Sequence, residues 1–341
     1  MIKRNPRSTT LKDVARAAGV SYQTVSRAIN GYPEISPATR EKILRITKRL
    51  GYRPNRLAGS LRSKQSSVIG LVVSDIENVF FAEVVAGVES EARGRGYSVI
   101  LANSSEDIVR ERQAVISLFE RRVDGLIIAP AEGDHEYLRS ELPKKFPIVA
   151  FNRPLDGPSY GAVLTENERG AREAVEYLIS HGHKKIGAIV ASASLTTSRE
   201  RLSGFRLAMT AAKLTIRPEW LATGSVRPEG AKVAAIKMFS MRNRPTALLT
   251  SSHRISEGVL LALKELGLRH GADVEIVSFD KVPWAALVEP PLTIVEQPTN
   301  HIGREAVRML INMIDGNGGP STIRLPARLI SLRDKGFQST T

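Results

Sequence analysis

TTLKDVARAAGVSYQTVSRAIN, residues 9–30, reads as a helix, a tight turn and a second helix. Leu11, Val14, Ala15 and Ala18 recur at the spacing of one helical face, so the first helix has an apolar side. Thr10 stands where a side-chain oxygen caps that helix, and Asp13 suits the positive end of its dipole. Gly19 follows where a left-handed residue lets the chain turn sharply, and Ser21 caps the second helix. There Val25, Ala28 and Ile29 form the buried side. Gln23, Arg27 and Asn30 fall opposite, with Tyr22 and Ser26 flanking, at about 100° per residue. An amide, a guanidinium and a phenol near the start of a short helix offer hydrogen bonds to base edges. The competing reading is a helical hairpin with a solvated polar face; the placement of charge favours DNA.

The chain carries a formal net charge of +14. Residues 1–65 hold 15 Lys or Arg against 3 Asp or Glu, whereas the remainder holds 34 against 32. A nearly neutral body therefore carries one strongly basic head, as expected where neutralised phosphates release counterions. An acidic membrane surface would also attract such a head, but it has no amphipathic basic helix with a bulky apolar face. RNA stays open on charge alone. A length of 341 residues suggests two or three domains, and 42% hydrophobic with 25% charged residues is ordinary for a globular protein. No run approaches the roughly 18 apolar residues that a membrane span needs. With no cysteine, disulfides and thiolate metal sites are excluded. No apolar export segment follows the basic start, so the expected compartment is the cytoplasm.

Beyond the two-helix unit, Ser36-Pro37 opens a third helix with Pro37 at its first position. Ile43, Ile46 and Leu50 give it one apolar stripe, and Gly51 ends it. Residues 56–62 have the length of one or two helical turns, marginal in water unless docked; a plain linker is the alternative. From Val68 strands and helices alternate. Strands are expected at Val68–Val73, Tyr97–Ala102, Asp124–Ala129 and Pro147–Phe151, with helices at Phe80–Arg93 and Asp107–Arg121 and a weak one near Tyr137–Glu141. The theme then restarts: strands at Lys185–Val190, Ala247–Thr250 and Glu275–Phe279, and helices at Asn167–His181, Arg199–Ala212, Gly230–Met241, Ser256–Leu266 and His301–Asp315. Ser321–Leu332 is extended. This order implies parallel sheets covered on both faces. Gly87 and Gly204 each lie 17 residues after a strand-opening Ile-Gly pair, Ile69-Gly70 and Ile186-Gly187, in keeping with a duplicated lobe.

Ligands of open parallel sheets sit at the carboxyl ends of strands. Those ends are Ser74–Phe81, Asn103–Ser105, Ala129–Ala131 and Asn152–Pro154 in the first lobe. In the second they are Ala191–Arg201, Ser251–Arg254 and Asp280–Trp284. Two lobes facing each other across these loops make a hinged cleft.

The same residues resemble the lactose-repressor/galactose-repressor (LacI/GalR) family of bacterial transcription regulators. TLKDVARAAGVSYQTVSRAING is similar to that family's head, and TREKI at 39–43, GYRPN at 51–55, NVFFAE at 78–83, RRVDGLIIAP at 121–130, GHKKIG at 182–187, RERLSGF at 199–205, FDKVPW at 279–284 and PPLTIVEQP at 290–298 follow in the family's order. The resemblance implies an α/β core of two similar parallel-sheet lobes, periplasmic-binding-protein-like, preceded by a small all-α helix-turn-helix DNA-binding domain. It implies a head at 1–52, a hinge helix and linker at 53–65 and a core at 66–341. Within the core, lobe 1 would take about 66–165 and 296–325, and lobe 2 about 166–295 and 326–341.

By resemblance the chain is a homodimeric repressor of double-stranded operator DNA, controlled by a small, carbohydrate-like effector in the cleft. DNA contacts fall on Thr10, Ser21, Tyr22, Gln23, Thr24, Ser26, Arg27 and Asn30 of the head, and on Asn55, Arg56, Ala58 and Leu61 of the hinge. Leu61 is the minor-groove wedge, an insertion that kinks DNA. Effector contacts fall on Phe80, Phe81, Asn152, Arg201, Ser252, Asp280 and Trp284. Arg201 has a fork for two hydroxyls or a carboxylate; a surface pair with Glu200 is its alternative. Asp280 accepts from hydroxyls or caps a helix, and Trp284 lines the cleft or a lobe contact. Asn152, Ser252-His253 and Val226 depart from residues common in the family, as does Gly59 in the hinge. No catalytic site, cofactor or metal is expected: GxxxxGK[ST], GxGxxG after the first strand, HExxH and GxSxG are all absent. A solute-binding module without regulatory work is the competing function.

Overall fold

The computed structural model describes residues 9–29, 32–52, 65–224 and 227–331. The chain forms two compact units that divide after Ser66. The first is three helices: α1 (Leu11–Ala18), α2 (Tyr22–Ile29) and α3 (Pro37–Arg49). Thr10 and Asp13 close α1 with a reciprocal capping box, and Gly19 takes φ 67° at its end. The Ser21 hydroxyl accepts the Thr24 N–H at 3.0 Å. Ser36 caps α3 with Pro37 in its first turn. Val14, Ala18, Val25, Ala28 and Ile43 bury themselves at the junction of all three helices. That core is small, so tertiary packing stabilises this unit only modestly.

The second unit holds two six-stranded sheets. Along the chain run β1 (Val68–Val73), α4 (Val79–Gly94), β2 (Ser98–Asn103), α5 (Ile108–Glu120), β3 (Gly125–Ile128), α6 (Tyr137–Ser140), β4 (Ile148–Phe151), β5 (Gly161–Thr165) and α7 (Asn167–Ser180). Then come β6 (Ile186–Val190), α8 (Thr196–Ala211), β7 (Leu221–Thr223), α9 (Pro228–Phe239), β8 (Ala247–Thr250), α10 (His253–Glu265), β9 (Glu275–Phe279) and β10 (Thr293–Glu296). Last are α11 (Thr299–Ile314), β11 (Thr322–Leu325) and β12 (Arg328–Ser331). Sheet order is β11-β5-β4-β3-β1-β2 in the first lobe and β12-β10-β9-β8-β6-β7 in the second. Central strands such as VIGLVV, GLII and IVAF are apolar throughout because helices cover both faces.

Three short strands, β5, β7 and β10, emerge that the sequence pattern left without assignment, and the extended tail proves to be two strands in different sheets. The β12–β10 pair is antiparallel, against an expectation of parallel sheets. Strands of both lobes run toward the cleft. β11 arrives there parallel to β5, and the chain runs on through Pro326-Ala327 into the other sheet, so β12 leaves the cleft antiparallel to β10. The chain passes between lobes at Thr165–Asn167, at Gln297–Pro298 and at Pro326–Ala327. The passages lie together, since β5 neighbours β11 and β10 neighbours β12.

Helices pack in close pairs, α4 on α11 and α7 on α8. An added Cβ at Gly87 would collide with the Asn300 carbonyl oxygen, and one at Gly204 with the Glu168 carbonyl oxygen. The two glycines repeated in sequence thus hold equivalent helix contacts in the two lobes.

Candidate functional site

On the head, Tyr22, Gln23 and Arg27 project from the exposed face of α2, opposite buried Val25 and Ala28. Thr24 and Ser26 are half-buried at its edges, and Thr24 Oγ1 lies 2.9 Å from Ser21 Oγ, so both hydroxyls serve the cap. Thr10 is likewise engaged, its hydroxyl donating to Asp13 Oδ2 at 2.6 Å. Asn30, Asn55, Arg56, Ala58, Leu61, Gly59 and Val226 lie outside the described residues.

In the core, the carboxyl ends of both sheets line one cavity. From lobe 1, Asn78 caps α4, its side chain accepting the Phe80 N–H at 2.9 Å, and this brings Phe80 and Phe81 to the wall. Their rings meet edge to face at 5.1 Å, and Phe81 meets Phe151 the same way at 6.0 Å. Asn152 lines the cavity in a left-handed conformation, φ 66°. The next residue, Arg153, is buried and forks onto Glu106: Nη1 donates to Oε2 at 2.9 Å and Nη2 to Oε1 at 2.8 Å. Nη1 also donates to the Pro130 carbonyl at 2.8 Å.

From lobe 2, Arg201 is 6% exposed, which rules out a surface pair with Glu200. Its Nε donates to Asn167 Oδ1 at 2.9 Å, Nη1 donates to the Ser251 carbonyl, and the guanidinium carbon sits 3.9 Å over the Phe279 ring. Glu200 turns instead to Arg324 at 2.8 Å. Ser252 caps α10 and lines the cavity. Asp280, at φ 75°, accepts from the His253 N–H and Nδ1 at 3.3 and 3.2 Å, and from Gln297 Nε2 at 2.6 Å. Gln297 Oε1 in turn accepts the Thr165 hydroxyl at 2.7 Å. Asp280 thus joins two of the chain passages. Across the mouth, Arg254 of lobe 2 stands 3.6 Å from both Asp75 and Glu77 of lobe 1.

Burial lowers the pKa of Arg201 to about 10, against the pull of Asp280 and Glu200. Burial acts to raise that of Asp280, but the hydrogen bond and charge of His253, with Arg201 and Gln297, outweigh it and hold the carboxyl below its usual range. Both groups are ionised near neutrality, and desolvation strengthens their interaction.

Trp284 is a correction. It sits half-buried in the turn Pro283–Ala286, packs against the lobe-2 apolar cluster and does not line the cavity. The cluster it packs against includes Val282 and Ala285, and a large indole gains from such burial. Asp75, Asn78, Arg153, Thr197, Ser198, Glu106 and Gln297 line the cavity without having been singled out. All but the last two fall inside the strand-end segments read from the sequence.

The profile described as "Bacterial regulatory proteins, lacI family" matches residues 10–55. That described as "Periplasmic binding proteins and sugar binding domain of LacI family" matches residues 66–332. This chain belongs to the LacI family. It is a DNA-binding transcriptional regulator with an effector-binding core. The HTH-type transcriptional repressor PurR of Photobacterium profundum is 33% identical over 306 residues, 89% of this chain and 92% of that one. A solved structure of a putative ribose operon repressor from Burkholderia thailandensis is 64% identical, covering 78% of this chain and 99% of that one, with a TM-score of 0.75. The lac repressor dimer bound to operator and the anti-inducer ONPF is 30% identical, covers 95% and 98%, and has a TM-score of 0.85. In this LacI-family regulator no helix among the described residues is long and apolar enough to cross a membrane.

Proposed function

We propose that this regulator is a repressor that binds a near-palindromic operator as a homodimer in the cytoplasm, and that a small carbohydrate-like effector in the cleft sets its affinity. The observation that carries the reading is the joining of Arg201 and Asp280, both lining the cavity, to the chain passages through Asn167, Gln297 and Thr165. A ligand that binds one lobe angle better than another shifts the population by that difference and no more.

Tyr22, Gln23 and Arg27 read base edges, with Ser26 and Asn30 beside them. Thr10, Ser21 and Thr24 hold the helices against the backbone. Asn55, Arg56, Ala58 and Leu61 supply the hinge contacts, Leu61 as the wedge. Two-fold operator symmetry follows from two-fold protein symmetry. Phe80 and Phe81 pack an apolar sugar face, and Asn152, Arg153, Arg201, Ser252, Asp280 and Gln297 exchange hydrogen bonds with hydroxyls. Ribose is the first compound to try, given the name of the 64% identical relative. No feature of the cleft assigns a catalytic role to any residue.

Footprinting on the regulated promoter, with and without sugars, sugar acids, polyols and nucleobases, tests the reading. A symmetric protected site that responds to one of them supports it. Absence of any symmetric site under all conditions overturns it. Sedimentation of the free protein should give twice the monomer mass.

A further inference from the structure

Two of the guanidiniums at the cleft already face carboxylates, and Arg201 is held by Asn167 and the Ser251 carbonyl. Arg254 stands 3.6 Å from Asp75, and Arg153 is clasped by Glu106 through two hydrogen bonds of 2.8 and 2.9 Å. The last pair is costly to build. Ser105 and Glu106 are consecutive non-glycine residues in the left-handed region, φ 54° and 58°. Residues rarely adopt that conformation unless their surroundings enforce it. Here the Glu106 N–H donates to the Ser74 carbonyl at 2.8 Å, the Ser104 N–H to the Val73 carbonyl at 2.9 Å, and Asn103 Nδ2 to Ser105 Oγ at 3.1 Å. The turn after β2 is pinned to the end of β1, and what it delivers to the cavity is one carboxylate.

We propose that Glu106 is the specificity-determining residue for effector charge: it cancels Arg153 inside the cleft, so the site takes electrically neutral polyhydroxy compounds and rejects sugar acids. This rests on the reading of the cleft as a carbohydrate site. A hydroxyl exchanges hydrogen bonds with a paired guanidinium without separating the pair. An anionic ligand meets Glu106, Asp280 and Asp75, which outnumber Arg153 and Arg201 among the charged residues lining the cavity, and it reaches the Arg153 charge only by breaking the pair with Glu106. An amide at position 106 removes that carboxylate and leaves Arg153 as an unneutralised cation beside the ligand. The gain of function is then directional: anion binding rises.

Titration calorimetry of the full-length protein with matched probes tests this: D-ribose with D-ribonate, D-galactose with D-galacturonate, and D-glucose with D-glucuronate. The best neutral sugar should bind at least about 100-fold more tightly than its acid, because like charges brought together in a desolvated site cost several kcal/mol. Glu106→Gln should narrow that ratio about tenfold by tightening the acid. Glu106→Asp, which keeps the charge, and the double variant Glu106→Gln/Arg153→Gln should both stay near the wild-type ratio. A wild-type protein that binds an acid as well as its neutral partner overturns the proposal with no variant needed. So does an unchanged ratio in a folded Glu106→Gln protein. Failure of the wild-type protein to bind any of the six overturns the carbohydrate reading itself, and this inference with it.

Discussion

Arg201 is kept charged though it is almost wholly buried, and its pKa falls to about 10 in consequence. At roughly 1.4 kcal/mol per pH unit, this burial costs the folded state on the order of 3 kcal/mol. Replacing it with an apolar side chain of similar length removes that cost together with its hydrogen bonds. Arg201→Met should abolish the effector-induced shift in melting temperature and, by leaving Asn167 Oδ1 and the Ser251 carbonyl without their donor, lower unliganded stability by about 1–3 kcal/mol. Asp280 behaves differently. Its folded pKa lies below the ordinary value, so its contribution to stability is complete above about pH 4 and is lost as pH falls through the lower folded value. The difference between the denaturant midpoints of wild type and Asp280→Asn should consequently shrink as the pH falls below about 4 and the two converge in strong acid. On the head, Arg27→Ala should cost about 1–3 kcal/mol in specific operator binding and little in nonspecific binding. Competition gel shifts with operator and random DNA distinguish the two, and an equal loss in both would remove Arg27 from base readout.

The helix pairs carry the clearest prediction for elements. Gly204→Ala drives a methyl into the Glu168 carbonyl, so α7 and α8 must separate, and overpacking of this kind costs about 1–3 kcal/mol in urea unfolding. An unchanged unfolding midpoint would show that the pair yields freely. Elements were legible in the sequence where one period or one composition ran long enough to stand alone. The buried strands VIGLVV and IVAF and the amphipathic α3 are of that kind. LAT of β7 is three residues long, and TIVE of β10 is framed by prolines; pairing with neighbours, not local pattern, makes both of them strands. The site divides the same way. The segments that hold Asn152, Arg201 and Asp280 were legible because a parallel sheet puts its ligands at strand ends, and the family resemblance singled out these residues within them. Glu106 and Gln297 were not, since one depends on a left-handed turn pinned to another strand and the other on a chain passage. Trp284 was misplaced because its ring turns toward its own lobe's apolar cluster.

At the scale of the whole molecule, charge and binding are divided between units. The first 65 residues hold 15 of the 49 Lys and Arg but only 3 of the 35 Asp and Glu. Affinity for DNA should thus fall linearly on a log–log plot against salt, with a slope of roughly −0.9 per phosphate neutralised. Effector affinity should be far less sensitive, because buried pairs are screened little. Nitrocellulose filter binding and calorimetry over the same salt series separate the two, and parallel slopes would contradict the division. The three passages between lobes have a mechanical corollary. They sit side by side at one edge of each sheet, two contain proline, and Gln297 ties the first to the second through Thr165. Strands fastened like pins along one line favour a single axis of rotation between the lobes, so a ligand in the cleft is registered within the core as one number, an angle.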